Sequence, residues 1–147
     1  MAISKSLINF KLRGGKTMAK LNDVMKEMIK GQQAWVATSG ADGKASLAIK
    51  GSARIVDDEH IAFFELMGNR TWANVQKNPW VAIAVSDVSK FKGYRFEGNA
   101  EIITSGPLFD EAVKLATALK IPVPPKAAIK VKIEEIYDLG KAGKKVS

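Results

Sequence analysis

"IAFFELMGNRTWANVQKNPWVAIAV", residues 61–85, sets two apolar runs on either side of a short polar segment. The first run stops at Gly68 and the second starts at Trp80, after Asn78-Pro79. Apolar runs of this length bounded by turn residues read as buried strands. Between them Asn69-Arg70-Thr71 opens a short predicted helix over 69–77. Asn69 suits the N-cap position. The N–H groups after it lack partners within a helix and carry the positive end of its dipole. Arg70 adds a planar fork of donors and Thr71 a hydroxyl, a combination matched to phosphate oxygens. Asn74 lies one turn on. The plainer alternative is a capped helix with a solvated arginine.

The flanking sequence continues the β pattern. "QAWVATS" (33–39) runs into "GADGK", where Asp42-Gly43 signals a hairpin turn. "ASLAIKGSARIV" (45–56) alternates, with Ala45, Leu47, Ile49, Ala53 and Ile55 opposite Ser46, Ala48, Lys50, Ser52 and Arg54. "GYRFEGNAEIIT" (93–104) and "AAIKVKIEEIYDL" (127–139) alternate as well. Helical spacing of Leu21, Val24, Met25, Met28 and Ile29 predicts a helix over 19–30, closed near Gly31. Pro107 opens another, with Asp110 and Glu111 in its first turn. Six strands joined mainly by hairpins, plus three helices, predict a mostly β (α+β) domain with an antiparallel sheet. At this size such a sheet is expected to close into a small barrel, which removes exposed edges.

The 147 residues suffice for one domain, with 46% hydrophobic and 26% charged residues. No apolar run approaches the roughly 18 residues of a membrane helix. The absence of cysteine excludes disulfides, thiolate catalysis and thiolate metal sites, and fits a reducing cytoplasm. One histidine, His60, leaves little for a histidine metal site or a Ser-His-Asp triad. The net charge of +8 is uneven: Lys5, Lys11, Arg13 and Lys16 supply four of the eight charges before residue 18. Met18 opens a well-formed helix and Arg13-Gly14-Gly15 resembles a translated ribosome-binding site. Residues 1–17 are therefore expected to be a non-native or disordered extension, which intact-mass analysis from the native host would test. The domain is expected over 18–139, and 140–147 as a flexible basic tail.

A second polar cluster lies in the strand at 45–56. Lys50 and Ser52 flank Gly51, and glycine within a strand often marks a bulge or the close approach of a ligand. Lys50 is a candidate contact to phosphate or to a ring edge.

Three features together resemble the pyridoxamine 5′-phosphate oxidase-like family of FMN-binding split barrels. They are a strand with a polar pair before the Asp57-Asp58 turn, the Asn69-Arg70-Thr71 segment seven residues before Asn78-Pro79, and "GYRFEGNAEI", similar to the family's G-x-A-E strand. The resemblance covers residues 19–139. It implies a six-stranded antiparallel split β-barrel with flanking helices, homodimeric, with FMN at the dimer interface. The family's phosphate-binding Ser-Arg-Lys segment falls on Asn69, Arg70 and Thr71. Its first flavin-contacting strand falls on Ile49, Lys50, Gly51 and Ser52, and its second on Phe64, Glu65 and Leu66. A flavin-contacting glutamine falls near Gly93, so that contact is absent or comes from Lys92. The true oxidase extends beyond the barrel with a segment that helps bind pyridoxamine phosphate. No equivalent substrate arginines are found here, so FMN binding is expected and oxidation of pyridoxamine phosphate is not.

The resemblance favours a small oxidoreductase or electron carrier with an unidentified small-molecule or protein redox partner and no membrane. In it Lys50 is a candidate for tuning the flavin and Trp35 or Trp72 for packing near its ring, the plainer reading of each tryptophan being a core aromatic. Three other readings compete. A nucleic-acid-binding barrel would use the cations and aromatics interleaved in "KFKGYRF" (90–96), although Tyr94 and Phe96 share the apolar face. A hydrolase would need His60 oriented by a buried partner, and its polar turn does not suggest one. A split barrel binding F420 would want the same cationic site, whereas heme would need His60 as its axial ligand.

Overall fold

The computed structural model describes residues 19–147, so the expectation for residues 1–17 lies outside it. Helix α1 (Asp23–Gly31) begins where the Asn22 side chain accepts a hydrogen bond from the Met25 N–H. Met25, Met28 and Ile29 face the core. Leu21, buried, instead precedes the helix, and Val24 points outward. Eight strands and two further helices follow: β1 (Ala34–Ser39), β2 (Ala45–Ile49), β3 (Arg54–Asp57), β4 (His60–Glu65), α2 (Arg70–Val75), β5 (Trp80–Asp87), β6 (Lys92–Ile103), α3 (Pro107–Ala118), β7 (Ala127–Asp138) and β8 (Lys144–Lys145). The strands pair antiparallel in the order β2-β1-β5-β6-β7-β4-β3, with β8 on β7.

The strand count and the closure differ from expectation. The alternating segment 45–56 is two strands, because the chain turns at Lys50, whose carbonyl accepts from the Ala53 N–H. β2 pairs with β1 and β3 with β4, at opposite ends of the sheet, and no ladder between β2 and β3 closes the barrel. The sheet curls but stays open along that seam. The eighth strand comes from the expected tail: Lys144 and Lys145 pair with Asp138 and Tyr137, and the Val146 N–H donates to the Ile136 carbonyl.

One face of the curled sheet holds the main core. Val81, Ile83 and Val85 point inward from β5, meeting Phe96, Ile129, Val131, Ile133 and Ile136 from β6 and β7. Strand β4 is buried on both faces, Phe63 in this core and Phe64 in a second cluster with Ala112 of α3 and Ala128 of β7. This explains its unbroken apolar run: α3 covers the side that a solvated strand would have left polar. Between β6 and β7 the register shifts, with Glu97 opposite Glu135 and Gly98 opposite Ile133, leaving Glu134 as an extra residue. Gly98 meets the bulge so closely that an added Cβ would lie 1.7 Å from the Lys132 carbonyl oxygen.

Candidate functional site

The seam where the sheet stays open is where the predicted polar cluster lies. The Lys50–Ala53 turn crosses it and is tied down on several sides. The Lys50 N–H donates to the Ala34 carbonyl at 3.0 Å. The Phe64 N–H donates to Ser52 Oγ at 2.9 Å. Arg54 Nε donates to the Ser52 carbonyl at 3.0 Å, its guanidinium lies 4.3 Å from the Phe64 ring centroid, and it pairs with Glu111 of α3 at 2.9 Å. The end of β4 is fixed by the Lys126 N–H, which donates to the Glu65 carbonyl at 2.7 Å. Gly68 then turns the chain into α2 at φ +80°, a conformation that disfavours any side chain, with Lys126 Cε 3.0 Å from where a Cβ would stand.

These constraints frame a cleft of about 520 Å³. Ile49, Lys50, Gly51, Ser52, Phe64, Glu65, Leu66 and Asn69 line it, eight of the positions singled out in the sequence. Met67, Gly68, Leu115, Leu119 and Ile121 complete it and were not among them. The last three belong to α3 and the residues after it, legible in the sequence only as a helix with an apolar side. Nothing in their spacing distinguishes a cleft wall from a core contact.

Lys50 is not a free cation. Its Nζ lies 2.6 Å from Glu65 Oε2, with the Glu65 side chain 1% exposed and that of Lys50 11%. The sequence placed both residues at the site without revealing that they pair.

Four expected residues do not line the cleft. Arg70 follows the rim residue Asn69, but its side chain is half exposed and reaches Asp42 at 3.6 Å. Thr71 is buried, and its N–H donates to Asn69 Oδ1 at 3.0 Å, so the cap uses one of the donors expected for a ligand. Asn74 is buried and donates from Nδ2 to Thr38 Oγ1 at 3.1 Å, joining α2 to β1. Lys92 lines a different, shallower hollow with Ser86, Phe91 and Gly140.

The residues of the competing readings are dispersed. His60 Nδ1 sits 2.7 Å from Asp57 Oδ1 across the β3–β4 turn, on an exposed surface. In "KFKGYRF" Phe96 is fully buried and Tyr94 stacks on it at 6.1 Å, while Phe91 is exposed and Arg95 lies over the Tyr137 ring. Cations and aromatics therefore do not share one stacking groove. Among the described residues no helix is long and apolar enough to cross a membrane, and no cluster of three or more histidine or acidic side chains could hold a metal ion.

The sequence profile for pyridoxamine 5′-phosphate oxidase matches residues 21–140, which spans β1 to β7 and the whole cleft. The chain belongs to that family. Its open antiparallel sheet with flanking helices is the family's split-barrel fold. An uncharacterized protein of Methanocaldococcus jannaschii is 29% identical over 131 residues, 88% of this chain and 87% of that one. The solved structure of HupZ from Group A Streptococcus is 33% identical with a TM-score of 0.76, covering 86% of this chain and 99% of its own. An FMN-binding protein from Syntrophomonas wolfei has a TM-score of 0.66 at 19% identity, covering 78% of this chain and 82% of its own. At that identity the likeness is one of fold.

Proposed function

We propose that this family member binds FMN in the seam cleft and acts as a small flavin-dependent oxidoreductase or electron carrier in the cytoplasm. The observation that carries the reading is the convergence on one cleft of two separate flavin-contacting segments expected from the family, Ile49–Ser52 and Phe64–Leu66. The volume suits a cofactor, since such sites span about 300–1,000 Å³. The donor set fits in part. Phe64, Leu66 and Leu115 offer apolar surface for a planar ring, and the Gly51 position is open, with nothing within 4 Å of where a Cβ would stand. For the phosphate, Asn69 and the half-exposed Arg70 remain at the rim, while Thr71 and Asn74 serve the fold. FMN, when bound, supplies the hydride or electron chemistry; this chain's residues bind and orient it.

A homodimer belongs to the same reading. On the outward face of β1 and β2, Trp35, Leu47 and Ile49 are 41%, 65% and 55% exposed, side by side in the register Trp35↔Ile49 and Ala37↔Leu47. An apolar strip on an edge strand invites cover, and Ile49 carries it directly into the cleft. A second copy seated there would complete the flavin site.

The test is a visible absorption spectrum of freshly purified protein, followed by titration with FMN. A two-band flavin spectrum or stoichiometric uptake is expected. A colourless protein that takes up F420 and ignores FMN would replace the cofactor, and one that takes up neither would overturn the reading.

A further inference from the structure

Pro124-Pro125 and the lysine that follows them have no part in the site described so far. Each proline fixes its own backbone φ, and Pro125 is buried. The Lys126 N–H donates to the Glu65 carbonyl at 2.7 Å, and the next residue, Ala127, stands opposite Glu65 in the β4–β7 ladder. The backbone of Lys126 is therefore held from both sides at the point where β4 ends. The chain leaving β4 turns back over it at Gly68. Lys126 Cγ and Cε lie 3.4 and 3.0 Å from where a Gly68 Cβ would stand, so glycine at this position leaves room for the lysine stem. Gly68 and Asn69 both line the cleft, and the ammonium, one bond beyond Cε, stands at that rim.

The neighbouring cations are engaged. Lys50 is paired with the buried Glu65, and Arg70 reaches outward to Asp42 at 3.6 Å. Lys126 is exposed and, among the described residues, its side chain has no hydrogen-bond or ion-pair partner. An unpaired surface lysine is ordinary. One whose backbone is pinned and whose stem lies across a glycine has already lost much of the rotamer freedom that holding an anion costs.

We infer that Lys126 is a binding residue for an anionic group at the rim of the cleft, a phosphate that it contacts from the side of Gly68 and Asn69. Arg70 approaches the same group from beyond Asn69, since its exposed pair with Asp42 is weak enough to be given up. Lys50 takes no part, because Glu65 cancels its charge. That this phosphate belongs to FMN rests on the FMN reading; the placing of an anion by Lys126 does not.

The experiment compares dissociation constants of FMN and of riboflavin, which lacks the phosphate, by quenching of flavin fluorescence. The proteins are the wild type, Lys126→Met, which keeps the stem and removes the charge, and Lys126→Arg, which keeps the charge. In Lys126→Met FMN binding should weaken about tenfold, the scale of one partly screened charge at about 4 Å, while riboflavin binding holds. Lys126→Arg should restore most of the loss. Equal weakening of both flavins would show that Lys126 only packs against Gly68, and unchanged FMN binding that it lies outside the site; either overturns the inference. Should Lys126→Met fail to fold, Lys126→Gln is read in the same way. If neither flavin binds the wild type, the FMN reading fails, and inorganic phosphate is titrated against melting temperature instead. Stabilisation of the wild type and Lys126→Arg but not of the uncharged variant supports an anion site at Lys126; an equal response in all three, or none, overturns it.

Discussion

Asn69, Arg70, Thr71 and Asn74 form one candidate phosphate-binding group in the sequence, and the structure separates them by burial. Thr71 and Asn74 point into the protein, Arg70 away from it. A paired experiment distinguishes the roles. Arg70→Ala should weaken FMN binding by about 1.5–3 kcal/mol, the range for a hydrogen bond to a charged group, with little change in stability. Asn74→Ala should do the reverse. It orphans Thr38 in a buried setting and should lower the unfolding free energy by about 1–3 kcal/mol while FMN affinity holds. Urea titrations and flavin-quenching titrations on both variants check this, and exchanged effects would exchange the assignments. Residue type alone could not sort the group, because an amide or hydroxyl serves a cap, a buried cross-link or a ligand equally well.

At the scale of elements, the β6–β7 pair depends on a single glycine. Gly98→Ala must either displace the Lys132 carbonyl or break the bulge, so a loss of about 3 kcal/mol in urea-unfolding free energy is expected, the upper end for overpacking. A loss below about 0.5 kcal/mol would mean that the bulge relaxes freely. The β3–β4 turn carries a pH dependence. Burial opposes ionisation of Asp57, but hydrogen bonds from His60 and from the Glu59 N–H outweigh it and hold the carboxyl below its ordinary range. A carboxyl lowered in the fold adds stability above its unfolded pKa, about 3.9, and loses it as the pH falls through the lower folded value. Melting temperatures of the wild type and Asp57→Asn should therefore differ at neutral pH and converge below about pH 4. A constant offset down to acid pH would show that the charge of Asp57 contributes nothing. Strands were the most legible elements, since β1, β5, β6 and β7 alternate or run apolar over their full lengths. The break at Lys50–Ala53 was not, because Gly51 in an alternating run reads as a bulge as readily as a turn.

For the whole molecule, the strip of Trp35, Leu47 and Ile49 predicts self-association. Replacing Leu47 and Ile49 together with lysine should convert a dimer to a monomer in sedimentation velocity and weaken FMN binding in parallel, because Ile49 also lines the cleft. A wild type that sediments as a monomer at micromolar concentration would rule the dimer out. In the sequence Leu47 and Ile49 share one face of an alternating run, and an apolar face of an edge strand carries the same alternation whether the cover is the chain's own core or a second copy.

By itself the sequence determined the antiparallel, mostly β class, the place of the short helix, the family, and most of the residues that line the cleft. Those are consequences of local periodicity, turn chemistry and short motifs, which act between near neighbours. Only the tertiary structure decided that the sheet stays open between β2 and β3, that α3 walls the cleft, that Asn74 braces Thr38, and that Lys50 faces Glu65. Each of these joins residues distant in the chain, and their meeting is fixed by strand order and packing, which alternation along a single strand does not encode.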